Sequence, residues 1–178
     1  MRHVIKENSI LGIAAACLLT TTVVYGAMPH VQAATAAQAG RYLVLAGGCN
    51  DCHTPGWAQA GGAIPSSRWL TGSRVGFRGP WGVTYPANLR LLVQHMHERQ
   101  WVAMFKDKTP LPGYPMRPPM PWLDYHRLNV RDLQALYVFI QRLGPAGQPA
   151  PRYVPPGRTP KTSYIVFVPQ RPGSRPHP

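Results

Sequence analysis

The stretch Cys49-Asn50-Asp51-Cys52-His53 limits the possible structures of this chain more than any other part of it. Two thiols three positions apart can reach the two vinyl groups along one edge of a porphyrin, and the histidine that follows can then bind the iron. The pattern is typical of covalent haem attachment. It predicts one haem c per chain, bonded through Cys49 and Cys52, with His53 as the proximal iron ligand.

Other interpretations of this stretch remain open at this point. A structural zinc site needs four ligands in a closed tetrahedron, and the chain has no second cysteine pair. A thioredoxin-like redox pair normally precedes a helix in a βαβ unit, whereas here the pair follows a predicted helix and no βαβ pattern is visible. The third alternative is a coincidental match. We favour haem attachment over all three.

A second iron ligand is expected from the proline-rich loop of residues 109–121. Met116 and Met120 both lie in this loop, and prolines on both sides of Met120 restrict φ, so the loop can present sulfur stiffly. We therefore predict Met120 as the distal ligand and Met116 as its substitute. Bis-histidine ligation has three candidates: His95, His97 and His126. The remaining alternative is that both methionines simply fill gaps in an apolar core.

Helical patterns surround these residues. The first predicted helix, residues 35–47, contains Gly40, which costs about 1 kcal/mol relative to alanine and indicates the close approach of another backbone. The second lies within residues 91–106, with Val102, Met104 and Phe105 as apolar candidates. The third, residues 129–143, repeats apolar residues at helical spacing. Residues 54–90 are rich in Gly, Pro, Ser and Trp and are predicted to be mostly loop.

The composition narrows the possible functions. The 178 residues include 17 glycines and 21 prolines, which indicates much irregular chain. Nineteen lysines and arginines stand against six acidic residues, and the net charge of +13 excludes a typical acidic cytosolic enzyme. So few carboxylates also argue against a multi-carboxylate metal site or a paired-carboxylate hydrolase. The positive charge predicts attraction to an anionic partner or surface.

Residues 1–33 have the features of a secretory signal peptide. A basic start precedes an apolar run, and a small-x-small-like site ends at Ala33, where we place cleavage. A cleavage site after Ala27 is the second choice. The alternative to cleavage is that the segment is retained as a membrane anchor, since its apolar run is near the length that a membrane span needs. The pattern for a lipid-modified cysteine at Cys17 is weaker. Export to the periplasm is therefore expected, and it supports haem attachment independently because this chemistry belongs outside the cytoplasm.

The chain after residue 145 is a basic, proline-rich extension without acidic residues. We expect residues 146–178 to be extended and residues 34–145 to form the haem domain. The segment 164–168 is too apolar to remain free in water without cost. It either packs back on the domain or docks to a partner.

Taken together, these motifs are similar to those of a known family. The chain resembles the small class I c-type cytochromes of bacteria, especially the single-haem modules that accompany periplasmic dehydrogenases. The resemblance covers residues 36–144 and rests on five pieces: Gly40–Val44, Gly48–Thr54, Tyr85–Leu89, Met120–Trp122 and Leu133–Tyr137.

The resemblance implies an all-α class I cytochrome c fold, with three to four helices around one haem. The first and last helices would cross near one haem edge. The small residue Gly40 or Ala46 would allow Tyr137 to approach closely at this crossing. His53 and Met120 would bind iron from opposite sides. A backbone carbonyl, which we place near Pro65, would hold the second ring nitrogen of the histidine. Four residues would shield the ring or bond its propionates, unless they are simply core: Trp81, Tyr85, Asn88 and Trp122.

The function expected from the resemblance is that of an electron carrier between periplasmic redox proteins, not an enzyme. Its donor and acceptor would present acidic docking surfaces to basic residues near the haem edge: Arg74, Arg78, Arg90, Arg117 and Arg127. One alternative is a permanently bound dehydrogenase subunit that docks through residues 164–168. Another is a haem enzyme or sensor with an open sixth site. Nucleic acid is not expected as a partner. A membrane is expected as a partner only if the N-terminal segment is retained.

Overall fold

The structure is a computed structural model that describes residues 30–33, 35–107 and 115–167. Its elements, in chain order, are α1 (Ala36–Ala46), α2 (Cys49–His53), β1 (Gly76–Gly79), β2 (Gly82–Thr84), α3 (Leu89–Leu92), α4 (Glu98–Lys106), α5 (Trp122–His126), α6 (Val130–Arg142) and β3 (Tyr164–Val166). Two short 3₁₀ turns occur at Ser66–Arg68 and Val93–His95.

The first and third predicted helices are confirmed as α1 and α6, including their caps. The Thr35 hydroxyl accepts a hydrogen bond from the Gln38 amide at the start of α1. The Asn129 side chain accepts one from the Arg131 amide at the start of α6. Each cap satisfies a backbone N–H that has no partner within its helix, which is why the boundaries could be read from the sequence.

The second predicted helix is confirmed within residues 91–106 as α4, which ends at Lys106 but does not fill the whole range. The chain instead forms α3, a 3₁₀ turn and then α4. A separate helix begins after His97 because the His97 amide donates to the Gln100 side chain at 2.9 Å in a capping box. Asn88 caps α3 by accepting from the Leu91 amide.

Helices α1 and α6 cross at Gly40, as the glycine in the middle of α1 indicated. A Cβ atom at this position would lie 2.0 Å from the Ala135 carbonyl oxygen and 2.6 Å from the Phe139 Cβ atom. At Gly40 the residues that need the space are therefore Ala135 and Phe139, and the expectation that Gly40 makes room for Tyr137 was wrong. The Tyr137 hydroxyl instead donates to the Met96 carbonyl at 2.9 Å.

The buried core lies between α6 and the other helices. Trp101 of α4 is central to it, because its ring packs on Phe105 with centroids 5.0 Å apart and its indole N–H donates to the Leu133 carbonyl. The core also contains Val44 of α1 and Leu70 of the connecting loop, both fully buried. This packing joins the element before the cysteine pair to the elements that follow it.

A small three-stranded sheet is present in addition to the helices, which the all-α expectation did not include. Its order is β2-β1-β3, with β1 and β2 antiparallel and β1 and β3 parallel. The hairpin strands are short and bounded by glycines, so their alternation is too brief to be read from the sequence. The third strand is far away along the chain, and only tertiary structure pairs it with β1.

The C-terminal extension packs back on the domain as far as Phe167. Its Ser163 carbonyl accepts from the Gly76 amide at 2.9 Å, and its Phe167 amide donates to the Arg78 carbonyl at 2.6 Å. At the other edge of the sheet, Val154 forms an antiparallel bridge with Val83. Of the two expectations for the apolar segment, packing on the domain is confirmed for its described part. Val168 lies outside the described residues.

Most of the predicted signal peptide lies outside the described residues, including Cys17 and the possible cleavage site after Ala27. Residues 30–33 are described, and the Val31 amide donates to the buried Asp132 carboxylate at 2.9 Å. Cleavage after Ala33 would remove this bond. No helix within the described ranges is long and apolar enough to cross a membrane.

Arg90 is buried and binds backbone, so the expectation that it belongs to a docking surface was wrong. Only 5% of it is exposed. Its guanidinium donates to the Gly144 carbonyl at 2.5 Å and the Ser67 carbonyl at 2.6 Å, and also to the Leu143 carbonyl. Two of these carbonyls lie at the C-terminal end of α6, where a cation also interacts favourably with the helix dipole.

We expect Arg90→Met to lower the free energy of unfolding by about 3 kcal/mol, because it leaves three carbonyls without their charged donor. Urea denaturation of the variant and wild type measures the difference. The matched control is Arg99→Met on the exposed side of α4, which should change stability by no more than about 0.5 kcal/mol. Equal effects of the two substitutions would contradict a structural role for Arg90.

Candidate haem-binding site

The cysteine pair lies on α2, a single helical turn that starts directly after α1. Gly48 separates the two helices with φ of 65°, in the left-handed region that glycine adopts without strain. Because residues three apart share one helix face, Cys49 and Cys52 lie on the same side of α2. Both are free thiols.

The two thiols are in surroundings that suppress their reactivity. Burial raises the pKa of Cys49 and of Cys52, and the nearby Asp51 carboxylate adds to this shift. At Cys49 the hydrogen bond with Tyr125 opposes the shift in pKa without reversing it. Redox-active and nucleophilic cysteines have lowered pKa values, because the thiolate is the reactive form. The surroundings of this pair therefore do not favour the thioredoxin-like interpretation.

His53, the last residue of α2, is buried and its ring is fixed. Its Nδ1 atom lies 2.8 Å from the Ala87 carbonyl oxygen. Because a carbonyl only accepts, Nδ1 carries the proton and Nε2 keeps a free lone pair; no described residue forms a hydrogen bond with Nε2. Burial lowers the pKa of His53, while the Ala87 bond opposes this shift. A neutral imidazole held through one nitrogen is the form that binds a metal through the other.

The carbonyl that holds His53 belongs to Ala87, and the expectation that it lies near Pro65 was wrong. Ala87 is in the segment that joins β2 to α3. The Gly72 amide donates to the His53 carbonyl at 2.8 Å, and a Cβ atom on Gly72 would lie 2.8 Å from the Asn88 amide nitrogen. The lack of a side chain at Gly72 therefore allows the segment that contains Ala87 to approach His53.

A chain of buried hydrogen bonds joins α2 to α3 beside His53. The Thr54 hydroxyl donates to Asn50 Oδ1 at 2.7 Å and accepts from the Leu70 amide at 2.8 Å. The Leu70 carbonyl then accepts from the Leu89 amide at 3.0 Å. Leu70 has φ of 58°, which is costly for a residue with a side chain and is tolerated because both its backbone groups are bonded.

Met120 follows a turn and contacts the core. Its amide donates to the Arg117 carbonyl at 3.1 Å, and its carbonyl accepts from the Trp122 amide at 2.9 Å. The side chains of Met120 and Met116 are both half-buried and pack against the core. The choice of Met120 as distal ligand therefore still rests on its two flanking prolines, and it remains a prediction.

Tyr125 connects the Met120 segment to the cysteine pair. It lies in α5, and its hydroxyl donates to the Gly47 carbonyl at 2.7 Å and lies 3.6 Å from Cys49 Sγ. Burial raises the pKa of Tyr125, so it remains a neutral phenol that can donate. The loop that contains Met120 is thereby held beside the junction of α1 and α2.

An open, largely apolar cavity of about 320 Å³ lies between α1, α5 and α6. It is lined by Leu43, Ala46, Gly47, Pro121, Asp124, Tyr125, Leu128 and Leu136. One side of the cavity is formed by Gly47 and Tyr125, and the Tyr125 hydroxyl lies near Cys49. Another side includes Pro121, the residue that follows Met120 in the sequence. Its volume and apolar lining are within the range of sites for small organic molecules.

The other predicted site residues have different surroundings. His95 and His97 are exposed, and His126 has its Nδ1 atom 2.8 Å from the Phe105 carbonyl oxygen. The Tyr85 hydroxyl accepts a hydrogen bond from the Thr162 hydroxyl. The Asn88 side-chain amide donates a hydrogen bond to the Ala146 carbonyl at 2.7 Å. Tyr85 and Asn88 therefore hold the C-terminal extension. Trp81 bonds the Phe77 carbonyl, and Trp122 stacks edge-on against His126.

Within the ranges that the structure describes, no three His, Cys, Asp or Glu side chains form a group that could hold a single metal ion. Cys49, Cys52 and His53 therefore do not converge on one point, as zinc ligands would. Covalent attachment of a haem would not require such convergence, because the two cysteines would bond different carbon atoms of the porphyrin and His53 would bind the iron.

No family model, curated protein or solved structure was found to match this chain.

Proposed function

We propose that this chain is a single-haem c-type cytochrome that carries one electron between periplasmic redox partners. The observation that supports this most is the state of His53. It directly follows two free cysteines, it is buried, and the Ala87 carbonyl fixes its Nδ1 atom so that Nε2 is available to a metal. The site therefore has the donor set that a covalently bound haem needs.

The residues of the site would divide the work of holding one haem c. Cys49 and Cys52 would retain it through thioethers, His53 would be the proximal ligand and Met120 the distal one. When bound, the haem supplies a reversible one-electron change at its iron. The fixed His53 ring and the stiff turn at Met120 would keep both ligand positions in place, so that little rearrangement accompanies this change.

We also propose that the helices have the class I cytochrome c arrangement, with the sheet and the C-terminal extension added to it. The close crossing of α1 and α6 at Gly40 supports this part of the proposal, since the resemblance implies contact between the first and last helices. A permanently bound subunit of a dehydrogenase is the second candidate function. The exposed apolar strand β3 favours it, as a surface for a partner.

Haem attachment gives the first test. The full chain, produced with export and with a cytochrome c maturation system, should stain for haem on a denaturing gel and gain the mass of one haem. The variant in which Cys49→Ala and Cys52→Ala are combined should lose all covalent haem, because no thioether can form. Cys17→Ala is the matched control and should stain like the wild type. A colourless wild-type protein without added mass would contradict the proposed function.

A further inference from the structure

The strand β3 presents apolar side chains to solvent on both of its faces. Tyr164, Ile165, Val166 and Phe167 are 38%, 51%, 54% and 45% exposed. These four residues are consecutive and form one apolar patch, which marks an interaction surface. The other exposed large apolar residues do not adjoin one another along the chain: Tyr42, Leu45, Val75, Leu123 and Val130. The backbone of β3 is packed on the domain, and the Phe167 ring contacts Phe77 with ring centroids 5.4 Å apart. More than a third of each of the four residues is still exposed.

One edge of β3 is free as well. The Ser163 carbonyl and the Phe167 amide both bond β1, so alternate residues of this strand direct their backbone polar groups inward. Tyr164 and Val166 then direct theirs to the outer edge. Among the described residues β3 pairs with β1 alone, so this edge can accept another strand.

The surface around β3 is basic and has no acidic residue of its own. The sequence contains no Asp or Glu between residues 52 and 97 or after Asp132, which covers all three strands and the extension. Arg78 bonds the Tyr164 hydroxyl at 3.0 Å and lies over its ring, while Arg158 and Lys161 are exposed on the chain leading into β3. A partner that docks on β3 and the chain leading into it therefore meets the positive charge of Arg78, Arg158 and Lys161, and no carboxylate side chain of these segments.

We propose that β3 is a docking strand for an acidic protein partner, which adds its own strand at the Tyr164–Val166 edge and places carboxylates beside Arg158 and Lys161. The proposal rests on the proposed function and specifies the surface that its redox partner presents. Backbone pairing would supply affinity, the exposed side chains would supply contact area, and opposite charge would direct the orientation.

Two other occupants fit these observations less well. A lipid surface has no groups in its hydrocarbon region that could satisfy the free N–H and C=O groups of a strand edge. A second copy of the chain would bring two basic surfaces with no acidic residues together, and like charges across an interface are unfavourable. An acidic protein strand satisfies both the backbone and the charge.

The test uses the full haem-loaded chain, labelled for amide hydrogen exchange. The probe is a blocked peptide of alternating valine and threonine with two glutamates at each end, and the matched probe has lysines in their place. We expect the glutamate peptide to slow exchange at the Tyr164 and Val166 amides by about tenfold, and the lysine peptide to have no effect.

Two variants separate the contributions of the edge and the charge. Val166→Pro removes an outward N–H that makes no bond to β1, so it should abolish protection while haem content and Tm stay unchanged. Combined Arg158→Glu and Lys161→Glu leaves the edge intact and should reverse the preference between the two peptides. This second variant keeps the proposal testable even if proline disturbs the strand.

Several results would overturn the docking proposal: no protection by either peptide, equal protection by both, or self-association through β3 in sedimentation. Binding to phosphatidylglycerol vesicles without binding to the glutamate peptide would identify a lipid surface and also overturn it. None of these readouts depends on haem chemistry. A chain that stains for haem but ignores the peptide would therefore lose this inference and keep the proposed function.

Discussion

Replacing Met120 with alanine is expected to abolish the far-red sulfur-to-iron absorption band of the oxidised protein and to lower its reduction potential. The physical reason is the loss of the thioether that we propose as distal ligand, since methionine ligation raises the potential. The reduced variant should also bind carbon monoxide rapidly, because its sixth position is open. Absorption spectroscopy and a redox titration measure these changes.

Met116→Ala is the matched control, because Met116 lies in the same segment and is also half-buried against the core. It should leave the band and the potential unchanged. If Met116→Ala abolished the band and Met120→Ala did not, the distal ligand would be Met116. Rapid carbon monoxide binding by the unaltered reduced protein would instead favour the open-site enzyme or sensor.

Gly40→Ala is expected to destabilise the protein by more than about 3 kcal/mol, although alanine is the better helix former. The added Cβ atom would lie 2.0 Å from the Ala135 carbonyl oxygen, and a backbone atom in the middle of α6 cannot move aside cheaply. The Tm should fall by on the order of 10 °C, as measured by thermal unfolding of the haem-loaded protein.

The control for this change is Ala37→Gly in the first turn of the same helix, which lowers helix propensity and removes one partly buried methyl group. It should cost no more than about 1 kcal/mol. The control replaces alanine with glycine, whereas the test replaces glycine with alanine. Helix propensity alone therefore predicts that Gly40→Ala stabilises the protein. A stabilising effect of Gly40→Ala would show that α1 and α6 do not cross closely at this residue.

Local patterns were sufficient for the parts of the fold that local chemistry controls. The caps of α1 and α6 could be read because a Thr or Asn side chain satisfies N–H groups only a few residues away. The close approach at Gly40 could be anticipated because glycine is costly in a helix interior. Neither pattern could identify Ala135 and Phe139 as the neighbours, since both lie in a distant helix.

The proposed haem site shows the same difference between local and distant contacts. Cys49, Cys52 and His53 form a continuous motif whose spacing has a chemical reason, whereas the support for His53 comes from the Ala87 backbone. A backbone carbonyl has no side chain and leaves no signal in a sequence. Tyr125 was also missed, because a single tyrosine near Met120 does not indicate that its hydroxyl reaches Gly47.

The amino-acid order alone therefore determined which residues we propose as haem ligands, where α1 and α6 begin and end, and how the charge is distributed along the chain. Tertiary structure decided which carbonyl fixes His53, that Arg90 is buried at the end of α6, and that residues 164–166 form a strand beside β1. The reason is distance along the chain: contacts between neighbours follow from local geometry, whereas contacts between remote segments depend on how the whole chain packs.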